Sequence, residues 1–203
     1  IENRGIHDHA VKEAMLKVPR HLFVGPENIE AAYADSALSI KENQTISQPY
    51  VVALMTTVAE LSSTDKVLEV GTGSGYQAAV LGEIVREVYS IEIIETLARE
   101  SSELLNKLGY KNIHVKHGDG YQGWKEAAPF DAILITAAAP KIPEPLLDQL
   151  KMEGRLVMPL GKSRAPQELI ALTKTENGLK KRVVEIVAFV PMTGEVRNNG
   201  GHR

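Results

Sequence analysis

The chain has 203 residues, 43% of them hydrophobic and 24% charged, with a formal net charge of −3. That length supplies one well-filled domain, and the balance is that of an ordinary soluble globular protein with no basic excess to mark a nucleic-acid or membrane-surface binder. The lack of cysteine excludes a disulfide framework, thiolate catalysis and cysteine metal sites and fits a cytoplasmic location; no apolar run approaches the roughly 18 residues of a membrane span, and Ile1 opens a polar stretch, not a signal peptide.

The first 60 or so residues differ from the rest. Val11–Val18 has helical spacing and stops at Pro19, and an irregular, turn-rich stretch follows through Phe23, Gly25, Pro26, Tyr33 and Ile46. Pro49 suits a first helical position, and Tyr50–Leu61 continues a helix. From Lys66 onward short apolar runs alternate with helical ones. Strands are predicted at Lys66–Val70, Val88–Glu92, Ile113–Lys116, Phe130–Thr136 and Arg155–Leu160, with helices at Gln77–Arg86, Ile94–Leu108 and Pro143–Leu150 between them. Glu168–Lys174 and Val183–Val190 read as two closing strands joined by a turn at Glu176–Gly178, with Lys180–Arg182 in a solvated turn.

Strand–helix alternation implies a mostly parallel sheet with helices on both faces, a doubly wound Rossmann-like α/β fold. Residues 63–203 form that core, and residues 1–62 form an N-terminal helical extension on the substrate side of the same domain.

The strongest chemical signal is Val67–Tyr76, where a strand runs into Gly71, Gly73 and Gly75 and a helix follows. Glycines there let the backbone turn tightly and approach a ligand. Glu92 closes the second strand, where an acid accepts hydrogen bonds from ribose hydroxyls. Asp119, between Gly118 and Gly120, ends the third strand at the same sheet edge, and by analogy with methyltransferases it would meet the adenine amino group. The third glycine comes one residue earlier than in a dinucleotide loop, which favours a cofactor without a phosphate to cradle. Glu69, just before the glycines, suits a cofactor with a positive amino group, either directly or through water; a structural acid bonded to the loop is an equal alternative. By spacing alone Ser47 is a residue that starts a helix. His114 and His117 lack a third ligand nearby, so no metal site is expected. Tyr121 and Trp124 are expected beside the adenine or in the core.

Five segments occur in order: Val18–Val24, Thr45–Tyr50, Leu68–Gln77, His117–Gly120 and Pro129–Ala137. Together they resemble the protein-L-isoaspartate O-methyltransferase family over nearly the whole chain. The glycine motif is shared by many methyltransferases; the Val-Pro-Arg and Ile-Ser-Gln-Pro segments are far more specific. The resemblance implies S-adenosyl-L-methionine as cofactor and S-adenosyl-L-homocysteine as product. It makes Ser47 the active-site serine and puts Gly71, Gly73, Glu92 and Asp119 at cofactor positions, with Glu69, Thr72, Gly75 and Gly118 completing that set. Ile46, Gln48 and, near the C-terminus, Thr193 fall on the substrate side. The tail after Thr193 matches no usable pattern.

The implied reaction is methyl transfer to the free α-carboxylate of an L-isoaspartyl residue, which starts its repair through a succinimide. The implied partners are isoaspartyl peptides and proteins, with neither nucleic acid nor membrane, and a monomeric enzyme. An S-adenosylmethionine-dependent methyltransferase acting on a small molecule or RNA is the alternative; it would keep the glycine loop and Glu92 and leave Ser47 without a role.

Overall fold

In the computed structural model, which describes residues 1–162 and 165–195, the N-terminal segment folds against the sheet that follows it. Helix α1 (His9–Lys17) starts at Asp8, whose side chain accepts a hydrogen bond from the Val11 N–H, and it buries Val11 and Ala14. Strands β1 (Leu38–Ser39) and β2 (Thr45–Ile46) form a small antiparallel hairpin. Helix α2 (Pro49–Val58) opens with proline at its first position, as its sequence predicts, and ends three residues before the expected Leu61.

The core alternates as expected: β3 (Lys66–Val70), α3 (Tyr76–Gly82), β4 (Glu87–Glu92), α4 (Glu95–Lys107), β5 (Ile113–His117), β6 (Phe130–Ile135), α5 (Glu144–Asp148) and β7 (Leu150–Leu160). Two long strands, β8 (Gln167–Thr175) and β9 (Gly178–Val187), follow. The seven strands β3–β9 make one sheet in the order β5-β4-β3-β6-β7-β8-β9. Pairing is parallel from β5 through β7 and antiparallel for β8 and β9. The last two strands are thus a meander, with β9 at the edge.

Both faces of the sheet are covered, which is why its central strands read as continuous apolar runs. Val67, Val88, Ala132, Leu134 and Val157 pack with α2 and α3 on one face. Leu68, Val70, Ile133, Ile135 and Leu156 pack with Tyr121 and with Leu146 of α5 on the other. Tyr121 is therefore a core residue, and Trp124 stacks edge-on against Tyr89, their ring centroids 5.1 Å apart.

Several boundaries differ from expectation, and helix α3 ends at Gly82, four residues before the expected Arg86. Strand β7 begins at Leu150, five residues early, and passes through a kink where Glu153 takes a φ of 59°. Strand β9 runs from Gly178 to Val187 in place of 183–190, so Lys180–Arg182 belong to a strand and not to a turn. Their side chains are exposed, and the strand is held by backbone pairing to β8, which leaves no apolar alternation to announce it. The tail beyond Glu195 lies outside the described residues.

Candidate active site

The chain leaves β3 for β4 and β5 on one side and returns to β6 on the other, so the order of strands reverses between β3 and β6. Ligands bind outside the carboxyl ends of the strands at such a point. A cavity of about 240 Å³ lies there, lined by Gly71, Gly73, Ile91, Glu92, Gly120 and Thr136 together with Thr45 and the Val190–Thr193 segment.

The glycines serve distinct needs in the loop. Gly71 has a φ of 101°, and a Cβ on it would stand 2.5 Å from Thr136 Oγ1. Gly73 has a φ of 52°, and a Cβ on it would meet only Ile40 Cδ1, at 3.9 Å; its bare backbone is part of the cavity wall. Thr136 ties the loop to β6 by donating from its hydroxyl to the Gly71 carbonyl at 2.7 Å. Gly75 starts α3 and packs on Ser101 and Leu105 of α4, outside the cavity lining.

Glu92 sits at the cavity rim. One carboxylate oxygen accepts from the Gly73 N–H at 2.8 Å and the other from the Ile94 N–H at 3.0 Å. A carboxylate has about four acceptor sites, so capacity for a vicinal diol is left. Bare glycine backbone with an acid beside it is the donor set an adenosyl ligand needs, and the residues present fit S-adenosylmethionine.

Other predicted cofactor residues stand around this cavity, not in its wall. Glu69 is fully buried beneath the loop; one carboxyl oxygen accepts from Ser90 Oγ, and the other has no hydrogen-bond partner among the described residues. Burial pushes its pKa up to about 8, against the Ser90 hydrogen bond and with the nearby charge of Glu92. Thr72 is buried alongside, bonded to Ser90. Gly118 donates its N–H to the Glu92 carbonyl. Asp119 accepts from the Tyr121 N–H at 2.9 Å and from the Glu195 N–H at 2.8 Å, which fastens the C-terminal segment over this end of the sheet.

A second, larger depression of about 690 Å³ lies on the other side of residues 44–48. Ser47, Gln48, Arg4, Gln167, Val187 and Phe189 are among its lining residues. Thr45 and Ser47, two residues apart, therefore face different cavities. Ile46 between them is buried in the core, which leaves only its backbone for a substrate. Thr193 lines the glycine-loop cavity and not this groove.

The Ser47 region is held by long-range bonds. Leu38 pairs with Ile46 across the hairpin. Asp35 accepts from the Tyr50 N–H at 2.9 Å through its side chain and from Gln48 Nε2 at 2.9 Å through its carbonyl. Burial alone would raise the Asp35 carboxyl, but Tyr50, Arg4 and Gln48 together hold it below the ordinary carboxylate range. Arg20 donates to the Ser47 carbonyl at 2.8 Å. Gln167 accepts from the Phe189 N–H at 2.8 Å and sets the opposite wall. Sequence reasoning gave no role to Arg4, Thr136, Gln167 or Phe189; Thr136 and Arg20 stood in the quoted Pro129–Ala137 and Val18–Val24 segments, and Phe189 in a predicted strand, without a signal for their place in the site.

The family model for "Protein-L-isoaspartate(D-aspartate) O-methyltransferase" matches residues 1–197. The chain is 51% identical to protein-L-isoaspartate O-methyltransferase 2 of Shewanella sediminis (strain HAW-EB3) over 203 residues, covering 100% of this chain and 83% of that protein. It is 56% identical to the protein of the same name from Nitrosococcus oceani, over 93% of this chain and 86% of the relative. Among solved structures, a protein-L-isoaspartate O-methyltransferase superposes with a TM-score of 0.89 at 28% identity, covering 98% of this chain and 67% of the other. A Plasmodium falciparum protein-L-isoaspartate O-methyltransferase in complex with S-adenosyl-L-homocysteine superposes with a TM-score of 0.82 at 29% identity, covering 95% of this chain and 94% of the other.

Proposed function

The chain belongs to the protein-L-isoaspartate(D-aspartate) O-methyltransferase family, and from that premise we propose that its two cavities divide the reaction between them, the cofactor in one and the damaged peptide in the other. The protein methylates the free α-carboxylate of L-isoaspartyl residues in damaged proteins with S-adenosyl-L-methionine. The observation that carries the division of labour is the segment Gln44–Gln48, which is common to both walls, with Thr45 on one side and Ser47 on the other.

When bound, S-adenosylmethionine supplies an electrophilic methyl group on a sulfonium centre and leaves as S-adenosyl-L-homocysteine. Gly71, Gly73 and Glu92 would hold it, with the Glu92 carboxylate available to the ribose hydroxyls. Thr45, Thr136 and Thr193 close the cavity around it. Glu69 and Thr72 shape the loop from beneath, and Gly75, Gly118 and Asp119 frame it from outside.

The acceptor is a carboxylate with a reference pKa of about 4, ionised at neutral pH, so no general base is required. The work left to the protein is to point one carboxylate oxygen at the methyl group and to strip water from it. Ser47 Oγ donates a hydrogen bond that orients the acceptor and does not act as a nucleophile. The Gln48 N–H and the backbone at Ile46 hold the same group, and Phe189 and Val187 cover it from the opposite wall. The resulting methyl ester carries a better leaving group than the carboxylate does; off the enzyme the next backbone nitrogen attacks its carbonyl and expels methanol to close a succinimide, and hydrolysis of that ring returns some normal aspartate.

Residues 1–62 and 63–203 act as one domain in this reading, because the groove needs Arg4 and Ser47 from the first and Gln167 and Phe189 from the second. A monomer acting in the cytoplasm is consistent with a site that one chain completes and with the lack of cysteine. Among the described residues no helix is long and apolar enough to cross a membrane.

The test is incubation with methyl-labelled S-adenosylmethionine and two peptides differing only in aspartyl or isoaspartyl linkage. Base-labile label on the isoaspartyl peptide alone is expected. Label on neither, from folded protein that still binds S-adenosylhomocysteine, would send the search to other methyl acceptors.

A further inference from the structure

Arg20 is an arginine that is only 1% exposed and has no carboxylate partner among the described residues. Burying an unpaired cation is costly, so its retention asks for a reason. Its hydrogen bonds go to backbone carbonyls far along the chain: Nε donates to Ala32 at 2.8 Å and Nη2 to Ser47 at 2.8 Å. The guanidinium also lies over the Tyr76 ring, 4.7 Å from its centroid, and Tyr76 is the first residue of α3, next to Gly75 of the cofactor loop. One planar group thus touches the acceptor segment on one side and the end of the glycine loop on the other.

The Ser47–Gln48 peptide is trans, so its carbonyl and its N–H point in opposite directions. A clamp on the Ser47 carbonyl therefore sets the direction of the Gln48 N–H. Neither that N–H nor Ser47 Oγ is hydrogen-bonded within the described residues, and both residues line the groove. A cation on the carbonyl also polarises the amide and strengthens the N–H as a donor.

We infer that Arg20 is a positioning residue for methyl transfer: by gripping the Ser47 carbonyl against Tyr76, it aims the free Ser47 hydroxyl and Gln48 N–H at the acceptor carboxylate and fixes their distance from the cofactor loop. This rests on the reading of Ser47 given above. Arg20 touches neither reactant and acts through the Ser47–Gln48 peptide. A lysine in its place is a point charge without the fixed fork of donors that meets both carbonyls, and has no flat face for Tyr76.

The experiment is a double-mutant cycle between Arg20→Lys and Ser47→Ala, with kcat and KM for an isoaspartyl peptide and S-adenosylhomocysteine affinity by calorimetry. Arg20→Lys is expected to lower kcat about tenfold or more, with the affinity for S-adenosylhomocysteine within about twofold of wild type. In the Ser47→Ala background the same change is expected to cost clearly less than it does in the wild type, because only the aim of the Gln48 N–H remains to be lost. If the two losses multiply, or if the loss follows cofactor affinity, Arg20 is general scaffolding and the inference is overturned while Ser47 keeps its role. If Ser47→Ala alone leaves kcat unchanged, the reading of Ser47 fails and the inference goes with it. Should Arg20→Lys not fold, Arg20→Gln serves in the same cycle, since its shorter side chain gives up the bond that Nη2 makes to the Ser47 carbonyl and buries no charge.

Discussion

The cofactor cavity takes Gly71, Gly73 and Glu92 from one continuous β3–α3–β4 unit, whereas the acceptor groove takes Arg4, Ser47, Gln167 and Phe189 from four separate parts of the chain. The first is shaped chiefly by backbone conformation, including glycines at positive φ and an acid at a strand end. The second is shaped by side chains that bond to backbone over long sequence distances, Arg20 to Ser47 and Asp35 to Tyr50 among them. The contrast teaches that damage at the first should appear as lost cofactor affinity, and damage at the second as lost turnover with the cofactor still bound.

The sharpest way to break this comparison is Gly71→Ala. The new Cβ would meet Thr136 Oγ1 at 2.5 Å in a backbone conformation that disfavours alanine, so cofactor binding should weaken by roughly 2–4 kcal/mol, visible by calorimetry. Undiminished binding would show that the loop is not backbone-determined. Ser47→Ala comes next, with kcat lower by roughly 100-fold and S-adenosylhomocysteine affinity nearly intact. A parallel loss of affinity there would erase the distinction between the two regions. Glu92→Gln should weaken cofactor binding by roughly tenfold, since one acceptor oxygen becomes a donor, and excess S-adenosylmethionine should restore most of the rate. A rate that stays low at saturating cofactor would assign Glu92 to turnover instead.

The smallest effect concerns what lies under the loop. Glu69 ordinarily titrates near 4.5 and is raised to about 8 by burial. Between those values the native state keeps a proton that the unfolded chain has released. The stability Glu69 contributes is therefore full below about pH 4.5 and is lost as pH rises toward 8. Glu69→Gln removes this dependence, so the Tm of the variant relative to wild type should climb from about pH 5 to about pH 8. A constant difference across that range would mean that Glu69 keeps its ordinary pKa and is ionised in the native protein.

The parallel strands were legible because burial on both faces makes them uninterrupted apolar runs: Lys66–Val70 is observed with the predicted boundaries. The edge strand β9 was legible as a closing strand but its first residues were not, because its exposed Lys180, Lys181 and Arg182 carry no pattern, and its start depends on the turn at Gly178 and on pairing with β8. The two readings of Glu69 could not be separated by spacing, since an acid before a glycine loop can point into the cavity or beneath it; its bond to Ser90 and its full burial favour the structural one. Thr193 was expected beside the substrate; the C-terminal segment, fastened by Asp119, places it in the wall of the glycine-loop cavity, with Thr45.

By itself the sequence determined the fold class, the glycine loop, the acid at the end of β4 and, through its resemblance to a family, the chemistry. These features reside in contiguous residues, where steric limits on the backbone translate spacing into shape. Only the tertiary structure decided which side of the 44–48 segment each residue serves, that Arg20 grips Ser47, and that Gln167 and Phe189 form the facing wall. Those pairings arise when apolar surface is buried, a non-directional force that compacts the chain without recording in any short stretch which distant carbonyl a buried side chain will meet.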